Sequence, residues 1–506
     1  MIHVIDLFAG PGGLGEGFSA FRNAHGEAPF IVDLSVEKEA SAHATLTLRS
    51  FLRQFGDDEW PEDYWHYLLG NIGKDELYER WPEQYKAARE HTLGRPTALG
   101  HDNARIERQL RELRYKWKSD PCVVIGGPPC QAYSLVGRSR NRGKRGYRPE
   151  EDDRNYLYRE YLRVLARVQP EAFVMENVRG LLSAQVDGGP IFQAILSDLR
   201  RPGKATGIRR ASGLEYAIYS LVVPGDDPEP EDFVIRAEHY GVPQARHRVI
   251  LLGVRSDMNV QPCSLQASRR SISVGDIISG LPRLRSRLSR GKDSAESWRC
   301  AIERGVKPLL KSGKGISLRL RRAMSKALTD LGHDMPTEAN VYRDGKHGLS
   351  SRVPDDLRNW LVGRSRLLTG HVSRGHMETD LHRYLFAACW AREHDGKSPK
   401  AMDFPALLAP NHANWDSGKF SDRFRVQAEN RPSTTITSHI SKDGHYYIHP
   451  DPAQCRSLTP REAARLQTFP DDYHFEGNRT QQFVQIGNAV PPWLAMQIAE
   501  IVWQLF

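Results

Sequence analysis

The sequence predicts an α/β protein built on a mostly parallel sheet, with a second, smaller body attached. Three observations carry this. Short apolar runs alternate with helical stretches through the first half of the chain. The first run ends in a glycine-rich turn that opens a helix. The alternation then stops after about residue 258, where basic, broken sequence takes over.

In order, "HVIDLF" (His3 to Phe8) is an apolar run, and "AGPGGLGEGF" after it reads as a glycine turn leading into a helix. "FIVDLSVEKEASAHATLTLRSF" repeats the pattern, with a strand to about Leu34, an acidic turn and a helix. Residues 53–119 are polar and largely helical and read as an insertion, with "DNARIERQLRELRYKWK" its clearest helix. "PCVVIGGPPC" supplies a third strand, "LYREYLRVLARVQP" an amphipathic helix with a proline stop, and "EAFVMENV" the next strand. "VPGDDPEPED" is an acidic, proline-broken surface loop, and "QARHRVILLGVR" is an apolar strand with basic residues at its start. The expected domains are therefore 1–257, a second body at 258–455, and a closing segment 456–506. The last helix, "PPWLAMQIAEIVWQLF", is apolar enough to pack back onto the first domain.

A chain of 506 residues with 39% apolar content can bury a substantial core. The formal charge of +9 fits a polyanionic partner without requiring one. The six cysteines, Cys122, Cys130, Cys263, Cys300, Cys389 and Cys455, form no close pair. A disulfide scaffold and a C-x-x-C zinc site are both disfavoured, and a reducing compartment is expected. No uncharged apolar run is long enough to span a bilayer, and the first residues do not read as a signal peptide. The histidines of "LTGHVSRGH" and "SHISKDGHYYIHP" match no metal-ligand spacing, so no metal is expected.

Ligands of open α/β sheets bind beyond the carboxyl ends of the strands. The glycine turn after Asp6 is neither a Walker-type phosphate loop nor a clean G-x-G-x-x-G fingerprint. Glu37 follows the second strand, where a carboxylate suits the ribose hydroxyls of an adenosine cofactor; it would serve equally as a helix-start acid. Cys130 lies just past the third strand, after two glycines and two prolines. Its local sequence leaves a packed thiol, a metal ligand and a nucleophile all open. "GRSRNRGKRGYR" follows with six basic residues, suited to phosphates. Glu176 sits at the end of an apolar strand and could meet Cys130 at the top of the sheet. Arg246 and Arg248, two apart, fall on one strand face.

As an ordered set these segments resemble the cytosine-5 DNA methyltransferases, which use S-adenosylmethionine. "DLFAGPGGLGEGF" resembles the cofactor loop, "GGPPCQAYS" the nucleophile loop, and "FVMENVRGLL" the Glu-Asn-Val motif. "QARHRVILLGV" resembles the Gln-x-Arg-x-Arg motif, "RPSTTITS" with "LTPREAARLQTFPDDY" the ninth motif region, and "QIGNAVPPWLAMQIA" the last motif. The resemblance covers residues 1–257 and 431–506. Pro11 and Tyr133 depart from common family residues, and neither removes a reactive group.

The resemblance implies a mostly parallel S-adenosylmethionine-dependent methyltransferase sheet with helices on both faces, plus a smaller DNA-recognition domain at 258–455. It makes Cys130 the nucleophile, Glu176 the acid that engages the cytosine, and Arg246 and Arg248 the groups around the ring and the carboxylate. Phe8, Gly10, Gly12, Glu37, Leu157, Asn488 and Val490 would line the cofactor site, and Pro128 and Pro129 would fix the nucleophile loop. Asp102, in "LGHDNARI", is assigned to the family's acid that touches the adenine amine. The implied reaction yields S-adenosylhomocysteine and 5-methylcytosine in a specific duplex sequence. The implied setting is a prokaryotic cytoplasm, with the protein a monomer on DNA and often partnered by a separate restriction endonuclease. The alternatives are a tRNA cytosine-5 methyltransferase, a non-catalytic DNA-binding protein on the same scaffold, and a cysteine hydrolase; the last lacks a convincing histidine partner.

Overall fold

The computed structural model describes residues 1–56, 59–129, 157–186, 189–225, 227–339, 348–410, 415, 422–442 and 444–506. Its central sheet is assembled from β1 (Ile2–Leu7), β2 (Phe30–Val36), β3 (Cys122–Gly126), β4 (Ala172–Val178), β5 (Tyr216–Tyr219), β6 (Val234–Arg236) and β7 (His247–Arg255). The strand order is β2-β1-β3-β4-β7-β5, with β6 also paired to β7. Pairings among β1 to β4 are parallel, whereas β7 runs antiparallel to β4, β5 and β6. The sheet is therefore mostly parallel, with β7 reversed. Near-continuous apolar runs in β1, β3 and β4 reflect burial on both faces: Val4, Ile5, Val124, Ile125, Phe173 and Val174 are all buried.

Helices α1 (Gly13–Ala20) and α2 (Ala40–Arg53) flank β2 in sequence. The polar segment that follows folds as α3 (Glu62–Leu68), α4 (Lys74–Arg80), α5 (Pro82–His91) and α6 (Asn103–Trp117). The last of these is part of the sheet's own core. Ile106, Leu110, Leu113 and Trp117 recur at helical spacing and join the cluster that holds Leu7, Val124 and Phe173. The same cluster takes Tyr161, Leu162 and Leu165 of α7 (Leu157–Val168) and Ile195 and Leu199 of α8 (Ile191–Arg200).

The described residues divide into two units. The first comprises Met1–Gly241, Arg246–Arg269 and Ala489–Phe506; the second comprises Val242–Ala245 and Arg270–Asn488. Helices α9 (Ala295–Ser312), α10 (Leu318–Thr329) and α11 (Glu378–Glu393) share the second unit's core through Trp298, Ile302, Met324, Leu381 and Phe386. Residues 456–488 cluster with this unit, and the return to the first unit begins at Ala489. The reason is a set of buried arginines around α12 (Pro460–Leu466) and before α13 (Arg479–Asn488). Arg456 holds Glu462 with both Nη atoms at 2.7 Å, and Arg465 holds Asp471 at 2.8 and 2.7 Å. Arg461 donates to the carbonyls of Thr369, Pro470 and Tyr473. No helix among the described residues is long and apolar enough to cross a membrane.

The chain closes with α14 (Pro492–Trp503), which lies on α1. Contact is close because α1 carries glycine: a Cβ on Gly17 would stand 2.5 Å from both the Ala495 Cβ and the Met496 nitrogen. Gly17→Ala is therefore expected to force the two helices apart. The expected loss of stability is about 1–3 kcal/mol, read by urea denaturation.

Candidate active site

The carboxyl end of β4 gathers the chemistry. Glu176 faces two neighbours at once. On one side, β3 runs parallel with Gly126 opposite Met175. That register brings the next residue, Gly127, so near that a Cβ on it would lie 2.8 Å from Glu176 Oε2. Asn177 Nδ2 donates to the Pro128 carbonyl at 3.3 Å, holding the same loop. On the other side, antiparallel β7 places Arg248 opposite Val178 and Ile250 opposite Glu176. Arg248 Nε meets Glu176 Oε1 at 2.8 Å, and Arg248 Nη1 donates to the His247 carbonyl at 2.8 Å. Arg246, just before β7, is 1% exposed. Cys130, Tyr133 and the basic run 137–148 lie outside the described residues. The loop leading to Cys130 is described as far as Pro129, with Pro128 buried.

The glycine turn sits at the end of β1. The Ala9 N–H donates to the Val36 carbonyl at 3.1 Å, tying the turn to the end of β2. The Gly10 N–H donates to Glu37 Oε2 at 2.8 Å, and the Glu39 N–H to Glu37 Oε1 at 2.7 Å. Burial pushes the Glu37 carboxyl above the usual carboxylate range, against the pull of those N–H groups and that of Lys38. Gly10 and Gly12 have φ of 58° and 93°, a region glycine enters without strain. Phe8 adopts φ 54° without that freedom. Strain of this kind collects at ligand sites. Nothing lies within 4 Å of where a Cβ of Gly10 would be.

The other predicted cofactor residues are held by different elements. The Thr97 N–H donates to the Glu37 carbonyl at 2.7 Å, which hangs the loop 95–102 beside the turn. Asp102 closes that loop on itself: it accepts from the Ala98 N–H at 2.9 Å and from Arg95 Nη2 at 3.2 Å. Leu157, at the start of α7, has its Cδ2 3.9 Å from a Cβ built on Gly100. Val490 is buried, and its carbonyl would meet a Cβ on Gly13 at 2.2 Å, so the last motif lies against the first turn of α1. Asn488 ends α13 in the second unit and is exposed.

This arrangement fits an adenosine-bearing cofactor. A carboxylate accepting two backbone N–H groups keeps lone pairs for ribose hydroxyls. The open face of Gly10 leaves room for a ligand against the backbone. Among the described residues no group of three or more His, Cys, Asp or Glu side chains is arranged around a metal.

The family model of the C-5 cytosine-specific DNA methylases matches residues 101–208 and 229–503. The chain belongs to this family. It is 34% identical to the type II methyltransferase M.Bpa9945I of Bacillus paralicheniformis, over 99% of this chain and 98% of that one. It is 28% identical to the type II methyltransferase M.AgeI of Thalassovita gelatinovora, over 75% of this chain and 82% of that one. A solved prophage-encoded protein from E. coli, described as a DNA modification methyltransferase, superposes with a TM-score of 0.51 at 19% identity, covering 100% of this chain and 99% of that one.

Two charged residues of this methylase family member escaped the reading of its sequence. Asp6 is 1% exposed, and burial pushes its carboxyl up to about 7, with Arg53 and the Gly15 backbone pulling the other way. Its Oδ2 lies against α1, where a Cβ on Gly15 would come within 2.9 Å, yet neither oxygen closes a well-formed hydrogen bond among the described residues. The signal was a lone acid inside "HVIDLF". Glu16 of α1 is gripped by Arg49 (Nη2 to Oε1 2.5 Å, Nε to Oε2 3.0 Å) and by Arg53 (Nη2 to Oε2 2.7 Å). Arg49 also lies over the Trp60 ring at 5.1 Å. A cavity of about 940 Å³ opens elsewhere, among α4, α5 and α6, and shares no residue with these groups.

Burial alone would raise the Glu16 carboxyl, but Arg49 and Arg53 overcome it and hold it at about 2. A depressed carboxylate contributes stability above its unfolded value of 4.5 and loses it as pH falls toward 2. Glu16→Gln leaves two partly buried cations, Arg49 and Arg53, without their carboxylate, at an expected cost of about 3–5 kcal/mol near neutral pH. In thermal melts the gap between wild type and variant should narrow as pH drops below 4.5.

Proposed function

We propose that this methylase transfers the methyl group of S-adenosylmethionine to C5 of a cytosine within a specific duplex DNA sequence, as the modification enzyme of a type II restriction-modification system. The observation that carries this reading is the Glu176–Arg248 pair at 2.8 Å, with the loop toward Cys130 packed against the same carboxylate. The names of its relatives point the same way. The first unit supplies catalysis and the second, basic in its loops, supplies recognition. The enzyme works in the cytoplasm as a monomer on DNA, and any cognate endonuclease acts separately.

Cytosine C5 is a weak nucleophile, and in a duplex it is shielded by stacking. The base is turned out of the helix at a cost of a few kcal/mol. The Cys130 thiolate adds to C6, and the electrons of the C5–C6 double bond move toward N3. Glu176 meets them with a proton at N3, and Arg248 stabilises the carboxylate this leaves. Arg246 and Arg248 orient the carboxyl and the ring. S-adenosylmethionine, when bound, would supply an electrophilic methyl group to C5, with S-adenosylhomocysteine as the leaving group. Once C5 carries the methyl, a base (water in our reading) removes the C5 proton, the thiolate departs as the C5–C6 double bond re-forms, and the N3 proton returns to Glu176. Phe8, Gly10, Gly12, Glu37, Leu157, Asn488 and Val490 hold the cofactor, Glu37 through its ribose. Asp102 acts at the adenine edge by keeping its loop closed.

Bisulfite sequencing of DNA from cells expressing the protein is the direct test. Methylated cytosines in one repeated context are expected; unmodified DNA, with folded protein and cofactor present, would reject the reading. Parallel assays on duplex DNA and tRNA should show transfer to DNA. Cys130→Ala is expected to abolish transfer while S-adenosylmethionine binding, measured by calorimetry, stays near wild type. Glu176→Gln should slow single-turnover transfer roughly 10²–10⁴-fold.

A further inference from the structure

Three arginines distant in sequence meet in the second unit. Arg287 opens β8 (Arg287–Leu288), which pairs in parallel with β9 (Gly375–His376). The Arg287 N–H donates to the Arg374 carbonyl at 3.2 Å. Arg479, the first residue of α13, sends its Nη1 to the Ser373 carbonyl at 2.8 Å. Arg374 donates through Nη2 to the Ile440 carbonyl at 2.9 Å and lies over the Phe483 ring at 5.1 Å. Backbone carbonyls and a strand pair thus fix the cluster in place.

Two of its members, Arg287 and Arg479, are weakly compensated. Arg287 meets Glu338 at 3.2 Å, but both side chains are about half exposed. Such surface pairs contribute about 0–1 kcal/mol. Among the described residues no carboxylate pairs with Arg479. Burial, with added repulsion from Arg287, lowers the Arg479 pKa. Arg479 also starts a helix with no acidic residue in its first turn, where the helix dipole disfavours a cation. The neighbouring His376 adds no charge: burial first, then Arg374, His445, Arg479 and Arg456, hold its pKa well below the ordinary value. All three arginines keep some exposure.

A cation set against a helix dipole, beside another cation and satisfied only by carbonyls, is strained until an anion arrives. We propose that Arg287, Arg374 and Arg479 form a phosphate-binding cluster that takes the sugar-phosphate backbone of duplex DNA. This rests on the reading of the chain as a DNA methylase. Charge gathered from three segments suits a phosphodiester, which positions the duplex without reading its sequence.

The test measures binding of the full-length protein, with S-adenosylhomocysteine present, to the duplex it methylates and to an unrelated duplex across a salt series. Arg479→Gln and Arg287→Gln should each weaken both duplexes by the same factor and reduce the slope of log K against log salt by about 1. Arg479→Lys should keep most of the slope. S-adenosylhomocysteine binding should not change in any variant. Should Arg479→Gln lower the melting temperature, the exposed Arg287 gives an independent reading. Unchanged slopes, or a loss confined to the cognate duplex, would overturn the cluster while leaving the DNA reading intact. A wild-type protein that binds no duplex, or prefers tRNA, would overturn both.

Discussion

The reversed strand β7 governs what the candidate site can be. A strand rises about 3.3 Å per residue, so a parallel strand of nine residues would start roughly 25 Å from the end where Glu176 lies. Running antiparallel, β7 instead begins where β4 ends, and Arg248 arrives beside Glu176 at 2.8 Å. On the other flank β3 runs parallel and so delivers its outgoing loop to the same place. One carboxylate is therefore approached by the end of one strand and the start of another, and neither needs a long connection. A one-residue slip in either register would turn the alternate face of the strand toward the site.

Buried charge is handled by the same device in both units. Glu16 in the first, and Glu462 and Asp471 in the second, each accept two bonds from an arginine fork. A buried pair of this kind adds little net stability over apolar packing, but removing one partner is costly. Such pairs act as addresses, fixing which segments belong together. Glu16 joins α1 to α2, and through Arg49 reaches Trp60 just ahead of α3. The helix that follows the glycine turn and the polar helical segment thus share one anchor.

Much of this was legible. Apolar runs marked β1 to β4 and β7, and the Glu176 and Arg248 motifs fell at strand ends. The misses have physical causes. β5 and β6 are four and three residues long, too short for periodicity to register. Helix α6 was read correctly as a helix but as part of an insertion, because an amphipathic stripe does not say which surface it will cover. The helix start containing Gly15 and Gly17 was legible, but not that Gly13, Gly15 and Gly17 are where α1 meets Val490, Asp6 and α14. The sequence alone did not show that Arg456, Arg461 and Arg465 would be buried with their partners. The arginine cluster was invisible because its members come together only through a two-residue strand pair and a helix start.

The Gln-x-Arg-x-Arg segment is held by backbone bonds on either side of Arg246. Gln244 is fully buried in the second unit: its Oε1 accepts from the Ile436 N–H at 2.8 Å, and its Nε2 donates to the Leu466 carbonyl at 3.2 Å and to Gln467. Gln244 and Ala245 pair with Ser433 and Thr434. His247 already belongs to β7 in the sheet of the first unit. Arg246 alone separates the two paired segments. A loop of several residues absorbs displacement by changing its dihedral angles, and a single buried residue between two hydrogen-bonded strands has little such freedom. The Gln-x-Arg-x-Arg spacing thus gives its residues different partners: Gln244 bonds the Ile436 and Leu466 backbone, Arg248 bonds Glu176, and two peptide bonds carry the chain from Gln244 to Arg246.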